Sequence, residues 1–300
     1  RGFSPQCAVI FSNLGSFLMC SDSNEDFQIG KQFANQALQF CNSTSLAIEN
    51  KATVYILQAY MHWHKPLATL LPFSQTGYEL AQKSGNLQYA GYSFPIKCLI
   101  MHHMGLPIKN VLQAALEGLQ ISNKNVEFRS LLDSICWTSA MLLSENCSTE
   151  PHYPKNELET VHQWSSNKEL LFQLALYSSL KEYSLFVLMN NFEELEKWSA
   201  IADCVQHIKE YCVYGLHCAI RPLTLLTIMR SKRSTEHLQL VHHYTAISKR
   251  QAERCPSNFE SLYLLVMAEL HFFEALVLYS GNNPSMYAEH CWHAAEHYEK

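Results

Sequence analysis

No stretch of this 300-residue chain carries the residues that a nucleotide or nucleophile site requires. There is no G-x-x-x-x-G-K-S/T, no G-x-G-x-x-G and no G-x-S-x-G, so nothing local cradles a phosphate or presents a serine on a strained elbow. Nor is there a basic arm or stripe. The formal net charge is −5, and Arg230-Ser231-Lys232-Arg233, the one basic cluster, reads as a helix end where cations are favoured. Nucleic acid is therefore not an expected partner. Glycine and proline are scarce, at ten each, whereas a strand-and-turn protein needs many more turn residues. Charged residues make up only 16%, yet no uncharged apolar run approaches the roughly 18 residues of a membrane span. No C-x-x-C occurs either. The eleven cysteines are scattered singly through apolar runs, which reads as buried free thiols in a reducing compartment.

What is present is helical spacing almost throughout, in a chain that is 48% hydrophobic. The spacing predicts a first pair, Pro5 to Cys20 and Asp26 to Cys41, with cap oxygens from Ser21-Asp22-Ser23-Asn24. A second pair lies within Lys51 to Ser84, broken by Pro66 and closed by Ser84-Gly85-Asn86. A third runs from Leu87 to Met104 and from Pro107 to Ile121, with Gly105 ending its first member. Val126 to Leu143 follows. Helix starts thus recur about every 20 residues and helix pairs about every 40, the signature of stacked repeats.

Ser144 to Asn167, with Pro151 and Pro154, interrupts the pattern and holds at most a short helix near Leu158 to Trp164. The expected organisation is a helical-repeat half at residues 1–145, an irregular joint at 146–167 and a second half at 168–300 continuing the same solenoid. In that half, helices are expected at Leu170–Met189, Phe192–Ala202, Val205–Ile220, Pro222–Met229, Ser234–Cys255, Asn258–Tyr279 and Ser285–Lys300. The chain opens without methionine and stops inside an apparent helix, so it reads as an excerpt of a longer protein.

One literal motif could carry chemistry. His293-Ala294-Ala295-Glu296-His297 matches H-x-x-E-H, which places two imidazoles on one helical face with a carboxylate able to activate a water. His290 lies one turn earlier, but no third ligand is identifiable, and a catalytic zinc needs three. The expectation is a solvated or half-buried helix face with no metal, cofactor or catalytic residue. His62-Trp63-His64, His102-His103 and His242-His243 diverge around their helices too widely to chelate one ion. Cys204, Cys212 and Cys218, with His207 and Lys209 near in sequence, read as inert core thiols. Tyr78, Tyr89 and Tyr92 read as inter-helix packing, with a ligand groove as the alternative.

Four blocks together carry a family resemblance: RGFSP at Arg1 to Pro5, HWHKPL at His62 to Leu67, GYELAQKSGNLQYAGYS at Gly77 to Ser93, and AERCPSNFESLYLLVMAEL at Ala252 to Leu270. They resemble the helical-repeat region of very large signalling proteins. Those proteins join a protein-kinase-like domain, an AAA-type signalling ATPase, this helical region, a GAF domain and a sensor histidine kinase. The resemblance implies an all-α, right-handed tetratricopeptide-like superhelix of antiparallel helix pairs in a cytoplasmic multidomain kinase. ATP binding and phosphorelay would belong to other domains of the same chain, the expected partners. It assigns no catalytic role to Trp63, Pro66, Tyr89, Gly91, Pro256 or Asn258. The function expected is a non-catalytic scaffold for protein–protein or interdomain relay. The alternatives are a small-molecule-sensing helical domain and a zinc-dependent hydrolase using His293, Glu296 and His297.

Overall fold

The computed structural model describes residues 6–43, 46–121, 126–143, 157–188, 191–201, 206–279 and 284–299. Among these residues there are fourteen α-helices and no strand. The chain divides into two compact units, Arg1–Tyr177 with His207–Val213, and Ser178–Gln206 with Tyr214–Lys300. The division falls inside a helix beyond the joint expected at 146–167; residues 144–156 of that stretch, like the RGFSP block, lie outside the described residues.

The first unit contains α1 (Cys7–Met19), α2 (Asn24–Ser43), α3 (Ile48–Gln58), α4 (Leu67–Lys83), α5 (Leu87–His103), α6 (Ile108–Ile121), α7 (Val126–Leu142) and α8 (Glu157–Ser166). Their ends follow local chemistry. Ser23 Oγ accepts from the Asp26 amide at 3.3 Å and Asn86 Oδ1 from the Tyr89 amide at 3.2 Å, each covering an amide with no partner inside its helix. Gly85 (φ 72°) and Gly105 (φ 67°) close α4 and α5 in the left-handed conformation. The following amides, Asn86 and Leu106, reach back to the carbonyls of Ala81 and Met101, the pairing of a Schellman cap.

Each helix from α1 to α6 packs on its successor, and the odd-numbered helices also touch in series: α1 on α3, α3 on α5, α5 on α7. Small residues make this possible. A Cβ on Gly30 of α2 would meet the Gly15 carbonyl oxygen and the Met19 amide nitrogen of α1 at 2.9 Å each, so these backbones touch only because both glycines lack side chains. Gly91 similarly makes room for the buried ring of Phe128. Tyr92 meets Phe128 edge-on at 4.2 Å and Tyr78 meets Phe94 at 4.9 Å, so these aromatics bridge neighbouring helices.

Two helices are shared between the units: α9 (Leu171–Leu188) and α11 (Cys212–Lys232). The second unit adds α10 (Phe192–Ile201), α12 (Leu238–Arg254), α13 (Pro256–Phe273), a π-helical turn at Glu274–Tyr279, and α14 (Pro284–Glu299). Its core forms around α11. Leu225, Leu226 and Met229 pack with Val241, Leu270 and Phe273; Leu216, Ala219, Ile220 and Leu223 pack with Val266, flanked by Tyr183 and Phe186.

Two sequence expectations change here. Pro222 does not open a new helix but lies inside α11, which runs unbroken from Cys212 to Lys232. Burial on every side of the helix offsets the lost backbone hydrogen bond. By length and composition α11 is also apolar enough to cross a membrane, although Arg221 divides it, and its apolar window is wholly buried in the protein.

Candidate functional site

The strongest convergence of metal-ligating side chains lies in the second unit, where α13, the π-turn and α14 meet. His271 and Glu274 are three residues apart, hence on one face of one helix. The α14 helix brings His290 against them. His290 Nδ1 lies 2.9 Å from Glu274 Oε2, His271 Nδ1 lies 3.3 Å from the same oxygen, and the two nitrogens are 3.3 Å apart. All three side chains are largely buried, at 16–19% exposure. Burial works against the charged form of Glu274. The hydrogen bond from His271 and the imidazoles of His290, His271 and His242 outweigh it and hold the carboxyl below its usual range.

The H-x-x-E-H residues form the rim of this cluster. The His297 ring stacks on His271 with centroids 5.5 Å apart and planes 4° apart, and the His293 ring lies 5.4 Å from His271. His293 sits 3.8 Å from Glu296 and 3.9 Å from Glu289, and is 38% exposed. The convergent set is thus His271, Glu274 and His290, with His293, Glu296 and His297 beside it. Sequence reasoning passed over His271 and Glu274 because they lie on a different helix. Their H-x-x-E spacing on an apolar helix was the available signal.

A second polar constellation is buried in the core. Glu182 of α9 pairs with Arg221 of α11 at 3.3 Å, and Arg221 also donates to Ser199 of α10. His217, one turn before Arg221, lies 3.4 Å from the other Glu182 oxygen without hydrogen-bond alignment. Burial and the neighbouring Arg221 push its imidazole down to about 3, so the ring is neutral beside the carboxylate and does not form an ion pair. Lys181 stands 5.8 Å from the Trp198 ring centroid, and Trp198 donates to Glu194. Three helices are tied together by charge at a place where the sequence shows only isolated charges in apolar runs.

His242 and His243 are exposed, whereas burial shapes the other histidine pairs. His62 and His103 are pushed down to about 3, by burial first and then, for His62, by His103 and, for His103, by His102. His64 also falls to about 3, through burial and Lys65, and burial alone takes His102 to about 4. Burial pushes the Cys212 thiol up to about 12 and raises Cys98 and Cys41 as well, which makes these thiols inert. Cys204 lies outside the described residues.

Beside Tyr78, between Ser74, Ser93 and Lys97, the free space is about 10 Å³, room for one water and not for a metabolite. The second unit has an open cleft of about 310 Å³ walled by Phe186, Val187, Leu223 and Leu265. Of its lining residues, Arg230 pairs with Glu269 at 2.6 Å, and Tyr298 donates to the same carboxylate. Compared with protein-family models, curated proteins and solved structures, the chain matches none.

Proposed function

We propose that this chain is a helical-repeat scaffold that relays conformational signals between other modules of a larger protein. The observation that carries the reading is the recurring register of the first unit. Odd-numbered helices touch in series, and each intervening helix packs on both neighbours. Units joined this way respond to strain by small rotations at many interfaces, so a ligand that favours one curvature biases the whole stack. If the resemblance of the four sequence blocks holds, such a stack would lie between an AAA-type ATPase and a histidine-kinase module. Neighbouring domains of the same chain are then its natural partners, and phosphotransfer is theirs. The 310 Å³ cleft, lined by four apolar side chains and the Arg230–Glu269 ion pair, offers a neighbouring segment a place to dock.

The test is the parent protein. Gly30→Leu drives a side chain into the α1 backbone and changes the stack without touching another module. ATP-dependent phosphorylation of the full-length protein should change at least about fivefold, with an isolated catalytic module unaffected. Unchanged output overturns the proposal, as does a parent lacking nucleotide-binding and phospho-accepting modules.

A further inference from the structure

We propose that His271, Glu274 and His290 form a binding site for a divalent transition-metal ion, with Zn²⁺ the best fit. The three contacting atoms, two Nδ1 and one Oε2, form a triangle with sides of 2.9, 3.3 and 3.3 Å. An imidazole nitrogen either donates or accepts, and an ionised carboxylate oxygen only accepts. With both nitrogens protonated, each donates to Glu274 and two donors face each other across the third side. With one protonated, two lone-pair atoms face each other instead. Hydrogen atoms can therefore satisfy two sides of the triangle and never three. A cation equidistant from the three atoms and just off their plane satisfies all three lone pairs at once.

The dimensions agree. Bonds of about 2.0–2.1 Å at a tetrahedral angle put ligand atoms about 3.3 Å apart. The three sides match that spacing with shifts of a few tenths of an ångström or less. Two imidazoles and one carboxylate suit zinc, and three protein ligands leave a fourth position open. The half-buried His293 lies on the next turn of α14. The π-turn begins at Glu274 itself, and single π-turns within helices accompany functional sites often. The bound ion would clamp α14 onto α13, a cross-link with no counterpart in the scaffold reading and independent of it.

The experiment uses the full chain without a histidine tag, stripped by a chelator and titrated with Zn²⁺ in a calorimeter. One ion should bind per chain. Co²⁺ at the same site should give the visible absorption of a low-coordinate nitrogen and oxygen site. Glu274→Gln keeps the size and hydrogen bonding of the side chain, and His290→Gln keeps a polar one; each should weaken Zn²⁺ binding at least about tenfold. His293→Gln and His297→Gln should weaken it distinctly less than either ligand variant. Melting of each variant in chelator, followed by far-ultraviolet circular dichroism, separates lost ligation from lost folding. Absence of saturable binding overturns the proposal. So does weakening by the His293 and His297 variants equal to that by Glu274→Gln, which would assign the ion to the H-x-x-E-H turn.

Discussion

The single most consequential side chain of the second unit is Glu182, a fully buried carboxylate that meets both Arg221 and His217. Taking two charges out of water costs several kcal/mol per ion, and their attraction returns it only while both are present. Removing one partner strands the other. Glu182→Met should destabilise the protein by about 3–5 kcal/mol, and Arg221→Met by a similar amount. The double variant should be far milder than their sum, with a coupling of at least about 2 kcal/mol in urea unfolding. Additive losses would mean that the 3.3 Å contact carries no charge interaction. His217 contributes differently: held neutral, it fills space against the Tyr244 ring, 5.5 Å away, and offers no charge to the pair.

Among the elements, the α1–α2 contact is the one most dependent on composition. Gly15 and Gly30 let two helix backbones approach until there is no room for a methyl group. Gly30→Ala gains about 0.5–1 kcal/mol of helix propensity but forces the backbones apart, which costs about 1–3 kcal/mol. A net loss of about 1–2 kcal/mol in denaturant unfolding is expected, and a stabilised Gly30→Ala protein would show that the helices can separate freely.

Helices of this kind were largely legible in the sequence because apolar spacing, cap residues and the two left-handed glycines act within a turn or two. The pairing of His271 with His290 was not legible, since it depends on how α14 lies across α13. Nor was the continuity of α11. Pro95 and Pro222 each sit within an apolar run, and both lie inside helices, α5 and α11. Reading a helix through the first and a break at the second was a choice that the local sequence does not decide. Burial on every side decided it for α11. The buried Glu182–Arg221 pair was invisible for a related reason. A lone charge in an apolar run is ordinary at a surface, and only the packed core shows that these two face each other.

At the scale of the whole molecule, five histidines respond together to acid. His62, His64, His103 and His217 titrate near 3 and His102 near 4, against about 6.5 in an unfolded chain. The folded state keeps them neutral, so below about pH 6.5 the unfolded state binds more protons and stability falls as pH falls. Each group contributes up to about 1.4 kcal/mol per pH unit until its folded value is reached, so several kcal/mol should be lost between pH 6.5 and about 5. The lowered carboxyl of Glu274 adds to the loss at lower pH. Thermal melts across that range should move steeply downward on acidification. A flat profile between pH 6.5 and 5 would mean these rings are reached by water in the folded protein.

The division of the chain carries a last consequence. The first unit is completed by His207–Val213, where Tyr211 packs against Tyr60 at 5.3 Å and Phe172 at 4.9 Å, and where the Lys209 carbonyl accepts from the Cys20 thiol. The coding sequence of that unit is therefore interrupted by part of the other. No single crossover in the gene can duplicate, exchange or transplant either unit intact.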